Sequence, residues 1–157
     1  MLKEVKAKLD AEIEQLDYEL RVTLPAEIKK ALEHGDLREN AEYKAALERQ
    51  DIVKSRLSQL NNRVIELGRL DFSSLPEDRI AYGSTVEVEN PETGEATTYK
   101  LVMPEESDID RGWISVSSPI GRGLMGHEEG DEVRIQTPGG AKHWTITNVR
   151  TLHDESA

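Results

Sequence analysis

The strongest constraint in this 157-residue sequence is a pair of apolar stripes at helical spacing, separated by one glycine. The first stripe runs Leu2, Val5, Leu9, Ile13, Leu16, Leu20, Leu24, Ile28 and Ala31 or Leu32. Steps of three and four put these positions on one helix face. The second runs Leu37, Ala41, Ala46, Val53, Leu57, Leu60, Val64 and Leu67, and from Val53 onward its steps alternate four and three, a heptad seam. Gly35 lies between the stripes. Two helices of about 33 residues would each be roughly 50 Å long. Joined at Gly35, they must pair antiparallel to bury their stripes. The spacing predicts a helical hairpin over 1–70, with the segment 35–43, GDLRENAEY, at its tip. Aromatic content of only 4%, with a single Phe, suits a narrow aliphatic seam. Pro25 interrupts the first stripe. An interior Pro costs a regular helix about 3 kcal/mol, so either Thr23 caps a fresh start or the helix kinks. Because the stripe continues past Pro25, a kink is expected and not a reversal.

The second half changes period. The segment 71–82 reads as a linker, and 83–157 as a separate domain. Short alternating runs follow at 85–89, 97–103, 113–117, 132–137 and 143–149, parted by the turn signals NPETGE, PEESDIDRG, GDE and PGG. They predict a small antiparallel sheet. Between the third and fourth runs, Ser118 and Pro119 open a short helix as cap and first residue, and Gly126 closes it. The fold class is α+β.

Charge is distributed unevenly. Residues 1–70 hold 13 basic and 14 acidic side chains, whereas 71–157 hold 7 and 17, so nearly all of the net charge of −11 lies in the second half. That half cannot coat nucleic acid, which needs clustered Lys and Arg. Any nucleic-acid contact falls to the first half and covers a small area. There is no cysteine, hence no disulfide or thiolate metal site. No apolar run approaches the roughly 18 residues of a membrane helix, and the N-terminus has no signal-peptide core. A soluble, cytoplasmic, monomeric protein with no membrane partner is expected.

The tip admits two readings. Structurally, Gly35 ends the first helix in a left-handed turn, Asp36 caps the second, and Glu39 completes a capping box. Chemically, two carboxylates on one exposed turn can hold a hard cation such as Mg²⁺, which accepts one or two protein carboxylates and fills its other positions elsewhere. Alone they bind it weakly. The pair matters only where a partner supplies the remaining ligands.

The stretch EHGDLRENAEYKAALE, residues 33–48, resembles the signature of the Gre family of bacterial transcript-cleavage factors. ISVSSPIGRGLMGHEEGDEV, residues 114–133, resembles the family's C-terminal signature, and TPGGAKHWTI, residues 137–146, its closing hairpin. The resemblance spans nearly the whole chain. It implies a coiled-coil hairpin followed by an FKBP-like domain that binds RNA polymerase. It further implies that the hairpin enters the polymerase's secondary channel and stimulates cleavage of backtracked RNA, so that elongation resumes. The family's acidic pair falls on Asp36 and Glu39, implying that they help hold a second Mg²⁺ shared with the polymerase active centre. The chain is then a catalytic accessory and not a free-standing nuclease, and it holds no metal stably by itself.

Around the tip, Lys29, Lys30, Arg38 and Lys44 are either solvated charges or partners for the phosphates of the nascent RNA 3′ end. Tyr43 either packs on the first helix or stacks on a base. The four histidines lack metal-ligand spacing. Trp113 and Trp144 are assigned to the core. Ser118, Pro119 and Ile120 are helix start and packing, and candidates for the polymerase-binding surface. Two features depart from the family pattern: Pro25 lies nearer the tip, and Gly123 stands where Ala is common, which should loosen the short helix by about 1 kcal/mol. Two rival functions are a Gre-like inhibitor using the same channel and a prolyl isomerase or chaperone built on the FKBP-like fold.

Overall fold

The computed structural model describes residues 2–35 and 40–156. The chain divides into two compact units, Met1–Leu70 and Asp71–Ala157.

In the first unit, helix α1 (Leu2–Tyr18) runs through a π-helical turn (Glu19–Thr23) into α2 (Leu24–Glu33), and α3 (Ala41–Gly68) returns against both. The buried residues of α3 are Ala46, Val53, Leu60 and Leu67, one every seven residues. They face Leu2, Val5, Leu9, Leu24 and Ala31 of the outgoing helices, with Leu24 and Val53 fully excluded from solvent. The expected hairpin is therefore present, and its core is a single seam.

The disturbance expected near Pro25 takes the form of the π turn. Leu16, Leu20, Leu24 and Ile28 are three successive steps of four. In an α-helix each such step overshoots a full turn by about 40°, so the stripe would drift by about 120°. The π turn, in which the Leu24 N–H bonds the Glu19 carbonyl five residues back, absorbs one residue and about 100° of that drift. Thr23 keeps helical dihedrals and makes no capping bond, so no new helix starts there.

Two ion pairs record the register. The Arg49 guanidinium grips Glu19 at 2.9 Å through both Nε and Nη2, and Arg56 grips Glu12 at 2.9 and 3.2 Å. Both are largely exposed and stabilise little singly. Spaced seven apart on each helix and in opposite order, they fit only one antiparallel alignment.

In the second unit, β1 (Thr85–Glu89), β2 (Ala96–Val102), β3 (Trp113–Ser115), β4 (Glu132–Thr137) and β5 (Gly140–Arg150) form one sheet in the order β3-β2-β1-β5-β4. Helix α4 (Pro119–Leu124) packs on it, and α5 (Leu152–Ser156) follows β5. Val86, Val88, Leu101, Leu124, Ile135 and Ile146 lead the core.

Three expectations are corrected. The sheet is not wholly antiparallel, because β3 runs parallel to β2. Two 3-10 turns, Pro104–Glu106 and Ile109–Arg111, fold the connection back on itself, so the chain re-enters beside β2 in the same direction. Gly112 makes that return possible: its φ is +76°, and a Cβ there would lie 2.8 Å from the Thr98 carbonyl oxygen. The segment 71–82 is more than a linker. Its apolar end, Ile80 to Tyr82, is buried, Ile80 exchanges backbone hydrogen bonds with Gly126 and His127, and Phe72 stacks on Tyr82. Trp113 is only half-buried, held between the cations of Lys100 and Arg111, whereas Trp144 joins the core as expected.

The two glycines of α4 have different tasks. A Cβ on Gly121 would stand 2.1 Å from the Ser115 carbonyl oxygen, which is backbone and cannot move aside. On Gly123 it would meet the Ile135 side chain at 2.5 Å. The missing methyl at Gly123 is thus filled by Ile135, and looseness is only part of its account. Gly121→Ala should lower unfolding free energy by about 3 kcal/mol. Gly123→Ala should lower it by about 1 kcal/mol or less, since a gain in helix propensity offsets the displacement of a flexible side chain. Urea denaturation ranks the two, and equal losses would contradict the distinction.

Hydrogen bonds from Arg49 hold the Glu19 carboxyl below its ordinary 4.5. A depressed carboxyl stabilises the fold above its unfolded pKa, and that contribution is lost as pH falls through the folded value. Between about pH 5 and pH 3, Glu19→Gln should therefore show a shallower fall in melting temperature than the parent chain, as circular dichroism would measure.

Candidate functional site

The tip is built from two helix ends. Helix α2 stops at Glu33, where His34 closes the last turn through its N–H to the Ala31 carbonyl at 3.2 Å. Gly35 follows with φ +106°, the left-handed conformation expected of it. Helix α3 starts at Ala41, and its cap is Asn40, whose Oδ1 accepts the Tyr43 N–H at 3.0 Å. The second helix thus begins later than expected, with Asn40 as its cap, and the predicted capping box of Asp36 and Glu39 lies outside the described residues. The Asn40 Nδ2 also donates to the Ala31 carbonyl at 2.6 Å, bonding one helix to the other. Asp36, Arg38 and Glu39, named as catalytic, metal-binding and RNA-contacting residues, lie outside the described residues.

Below the tip, one flank of the hairpin is ionic. A cleft of about 590 Å³ is lined by Lys30, His34 and Arg49 together with Glu27 and Glu42. Its charges are mixed, and Arg49 is already committed to Glu19. Lys29 and Lys44 are exposed on α2 and α3 and are not part of this lining. Tyr43 is half-buried on the first turn of α3, a placement compatible with packing and with a free ring edge. Among the described residues no cluster of His, Asp and Glu is arranged to hold a metal.

The second unit carries an apolar groove of about 430 Å³ where β2, β3 and α4 meet. Tyr99, Trp113, Ile114, Pro119, Ile120 and Ile109 supply its apolar lining. Ile109 sits on a 3-10 turn with 88% of its surface exposed, the highest value among the exposed large apolar side chains. The three residues predicted here, Ser118, Pro119 and Ile120, all line the groove. Ser118 is also engaged in structure, accepting from the Gly121 N–H at 3.0 Å and donating to the Ser115 carbonyl at 2.6 Å. Burial, and then Glu95, push the Tyr99 hydroxyl up from its ordinary value.

Ile109, Tyr99 and Trp113 were missed as surface residues. Ile109 carried a usable signal, a lone β-branched residue inside the charged turn ESDIDRG. Trp113 did not, because alternation along a three-residue strand cannot separate core from groove.

Two family models match. Residues 1–66 match "Transcription elongation factor, N-terminal", and residues 75–151 match "Transcription elongation factor, GreA/GreB, C-term". The chain is 41% identical to transcription elongation factor GreA of Syntrophobacter fumaroxidans over 148 residues, covering 94% of this chain and 95% of that one. It is 44% identical to GreA of Psychrobacter cryohalolentis over 144 residues, covering 91% of each. Among solved structures, the GreA factor homolog 1 of Thermus thermophilus aligns over 92% of this chain and 94% of its own, at 25% identity and a TM-score of 0.44. With identity above 40% spread over both units, the chain belongs to the GreA/GreB family of transcription elongation factors.

Proposed function

We propose that this elongation factor binds RNA polymerase through its second unit and delivers Asp36 and Glu39 to the polymerase active centre, where they promote the polymerase's own cleavage of backtracked RNA. The observation that carries the reading is the tip sequence GDLRENAEY at the turn of a paired helical hairpin in a family member. At 1.5 Å per residue, the 28 residues of α3 span about 42 Å. A two-helix probe of this length and thinness suits entry into a narrow channel.

An Asp and a Glu offer only oxygen donors, the chemistry a hard divalent cation prefers, and two carboxylates leave most of a Mg²⁺ shell to be completed by the polymerase and by RNA phosphate. When bound there, Mg²⁺ would orient water against the phosphodiester and stabilise developing charge. The chain's own part is to present two carboxylates at a fixed distance from the helix ends. Lys29, Lys30, Arg38 and Lys44 offer positive charge to the phosphates of the extruded RNA, and Tyr43 a ring to its bases. The factor is accessory: the polymerase owns the remainder of the site. The same reading puts the protein in the cytoplasm. No described helix is long and apolar enough to cross a membrane.

Docking on polymerase falls to the groove between α4 and β3. Its apolar lining, with Ile109 projecting, has the make-up of an interface centre, where apolar and aromatic side chains contribute most of the affinity.

In stalled, backtracked polymerase complexes, the parent chain should shorten the RNA. The double variant Asp36→Ala, Glu39→Ala should compete for polymerase as well as the parent and yet fail to stimulate cleavage. Undiminished cleavage by the double variant would refute the catalytic role. Ile109→Glu changes an exposed side chain, so folding should be intact while affinity for polymerase drops about fivefold or more, the effect of losing about 1 kcal/mol at an interface centre. A competition assay against labelled parent protein measures it, and unchanged affinity would move the docking surface elsewhere.

A further inference from the structure

Ile109 is almost fully exposed, so no packing of its own side chain fixes where it stands. Its place depends on how the connection 103–112 is fastened on either side. Toward β3, the Asp108 N–H bonds the Trp113 carbonyl and the Trp113 N–H bonds the Asp108 carbonyl, both at 2.9 Å. The Gly112 N–H closes on the Ile109 carbonyl at 3.0 Å. Toward β2, a side chain does the fastening. Glu106 Oε1 accepts the Met103 N–H at 3.2 Å within its own turn, and it accepts the Tyr82 hydroxyl at 2.9 Å from 24 positions earlier in the chain. Tyr82 is buried and stacks on Phe72, with ring centroids 5.2 Å apart. Burial, and then Glu106, hold the Tyr82 hydroxyl well above its ordinary range, so it keeps its proton and donates. The other carboxyl oxygen, Oε2, is buried with no hydrogen-bond partner among the described residues. Burying a polar oxygen unpaired costs stability. Stability of the fold by itself is therefore a poor account of a carboxyl group at this position.

We propose that Glu106 is a positioning residue for polymerase docking, its carboxyl group anchoring the Ile109 turn to the buried Tyr82. The proposal rests on the docking reading above. Ser107 and Ile109, one and three residues beyond Glu106, both line the groove. Residues 104, 105, 107, 109 and 110 are all exposed, so the turn has little packing of its own. An anchor on a buried ring passes the rigidity of the core to it. With the anchor released, the turn samples more arrangements, and only a fraction of them presents Ile109 at the groove. Apparent affinity falls in proportion to that fraction. The anchor needs an acceptor oxygen that reaches the Tyr82 hydroxyl. Gln supplies one at the same length, and Ala supplies none.

The test measures competition for polymerase against labelled parent protein, using the full chain. Tyr82→Phe removes the donor and Glu106→Ala the acceptor, and each should weaken binding about threefold or more. Glu106→Gln keeps the acceptor and should stay near the parent. Circular dichroism should show all three variants folded. In Tyr82→Phe, hydrogen exchange should quicken at the Glu106 and Ser107 amides, which bond the Met103 and Pro104 carbonyls, and stay unchanged at the core residue Ile146. A double-mutant cycle separates positioning from general support of the fold. In an Ile109→Ala background, Tyr82→Phe should cost almost no further affinity, because the side chain it positions is gone. Parent affinity in Tyr82→Phe or in Glu106→Ala would overturn the proposal. So would an equal loss persisting in the Ile109→Ala background. Glu106→Gln binding as weakly as Glu106→Ala would also overturn it, by making the charge itself the contact. Ile109→Ala alone shows the level of any failure. If it binds more weakly than the parent while Tyr82→Phe does not, only the positioning role fails. If it matches the parent, the docking reading fails and the positioning role falls with it.

Discussion

Everything in the first unit depends on one seam. Two helices share a single row of contacts, with Ala46, Val53, Leu60 and Leu67 recurring every seven residues along α3. A two-helix pair has no second layer to correct a slip, so register must be held by the seam and by features beside it. The Arg49–Glu19 and Arg56–Glu12 pairs lie beside it at the same seven-residue interval. The π turn belongs to the same constraint. Without it, the run Leu16, Leu20, Leu24, Ile28 would rotate off the partner helix before reaching Ala31, and the tip end would lose its buried face. Pro25 sits immediately beyond that turn, where the regular ladder of hydrogen bonds is already disturbed.

The second unit solves a different problem, which is how a small sheet with few aromatics presents an apolar surface without losing its core. The core is mainly aliphatic, with Trp144 among it, and is closed by α4, whose glycines let it sit directly against Ser115 and Ile135. Two other aromatic side chains lie toward the edge. Trp113 lies half-buried on the edge strand β3, steadied by Lys100 and Arg111, and Tyr99 pairs with Trp144 at 5.7 Å beside the same groove. The folded-back connection 103–112 brings Ile109 to this edge. The parallel pairing of β3 is therefore what puts an exposed isoleucine next to a tryptophan.

Helix existence and pairing were legible because their signal is long: about thirty residues of three-and-four spacing before Gly35, and after it a stripe that settles into a heptad seam from Val53 to Leu67. Strands β1 and β4 were legible from alternation bounded by turn residues. The parallel strand was not, since it is three residues long and its direction is decided by two 3-10 turns that leave no periodic trace. The start of α3 was misread for a related reason. Asp36 and Asn40 are both good caps, and residues 36–39 are as plausible a first turn as 40–43. Among the described residues, Asn40 caps α3 and its amide reaches the Ala31 carbonyl across the hairpin, and nothing local encodes that reach. The π turn had a visible signal, the triple step of four, whose meaning emerges only when the partner helix is required to follow it.

The later start of α3 bears on how the tip can act. Had Asp36 capped the helix, its carboxylate would have been committed to backbone N–H groups, and cation binding would have had to compete with a bond worth about 1 kcal/mol. With Asn40 as cap, the first turn of α3 is satisfied by a neutral amide. A neutral cap adds no negative charge at the start of α3. In the motif GDLREN, Gly35 follows the end of α2 in a left-handed turn, and Asn40 caps α3 and bonds across to the Ala31 carbonyl.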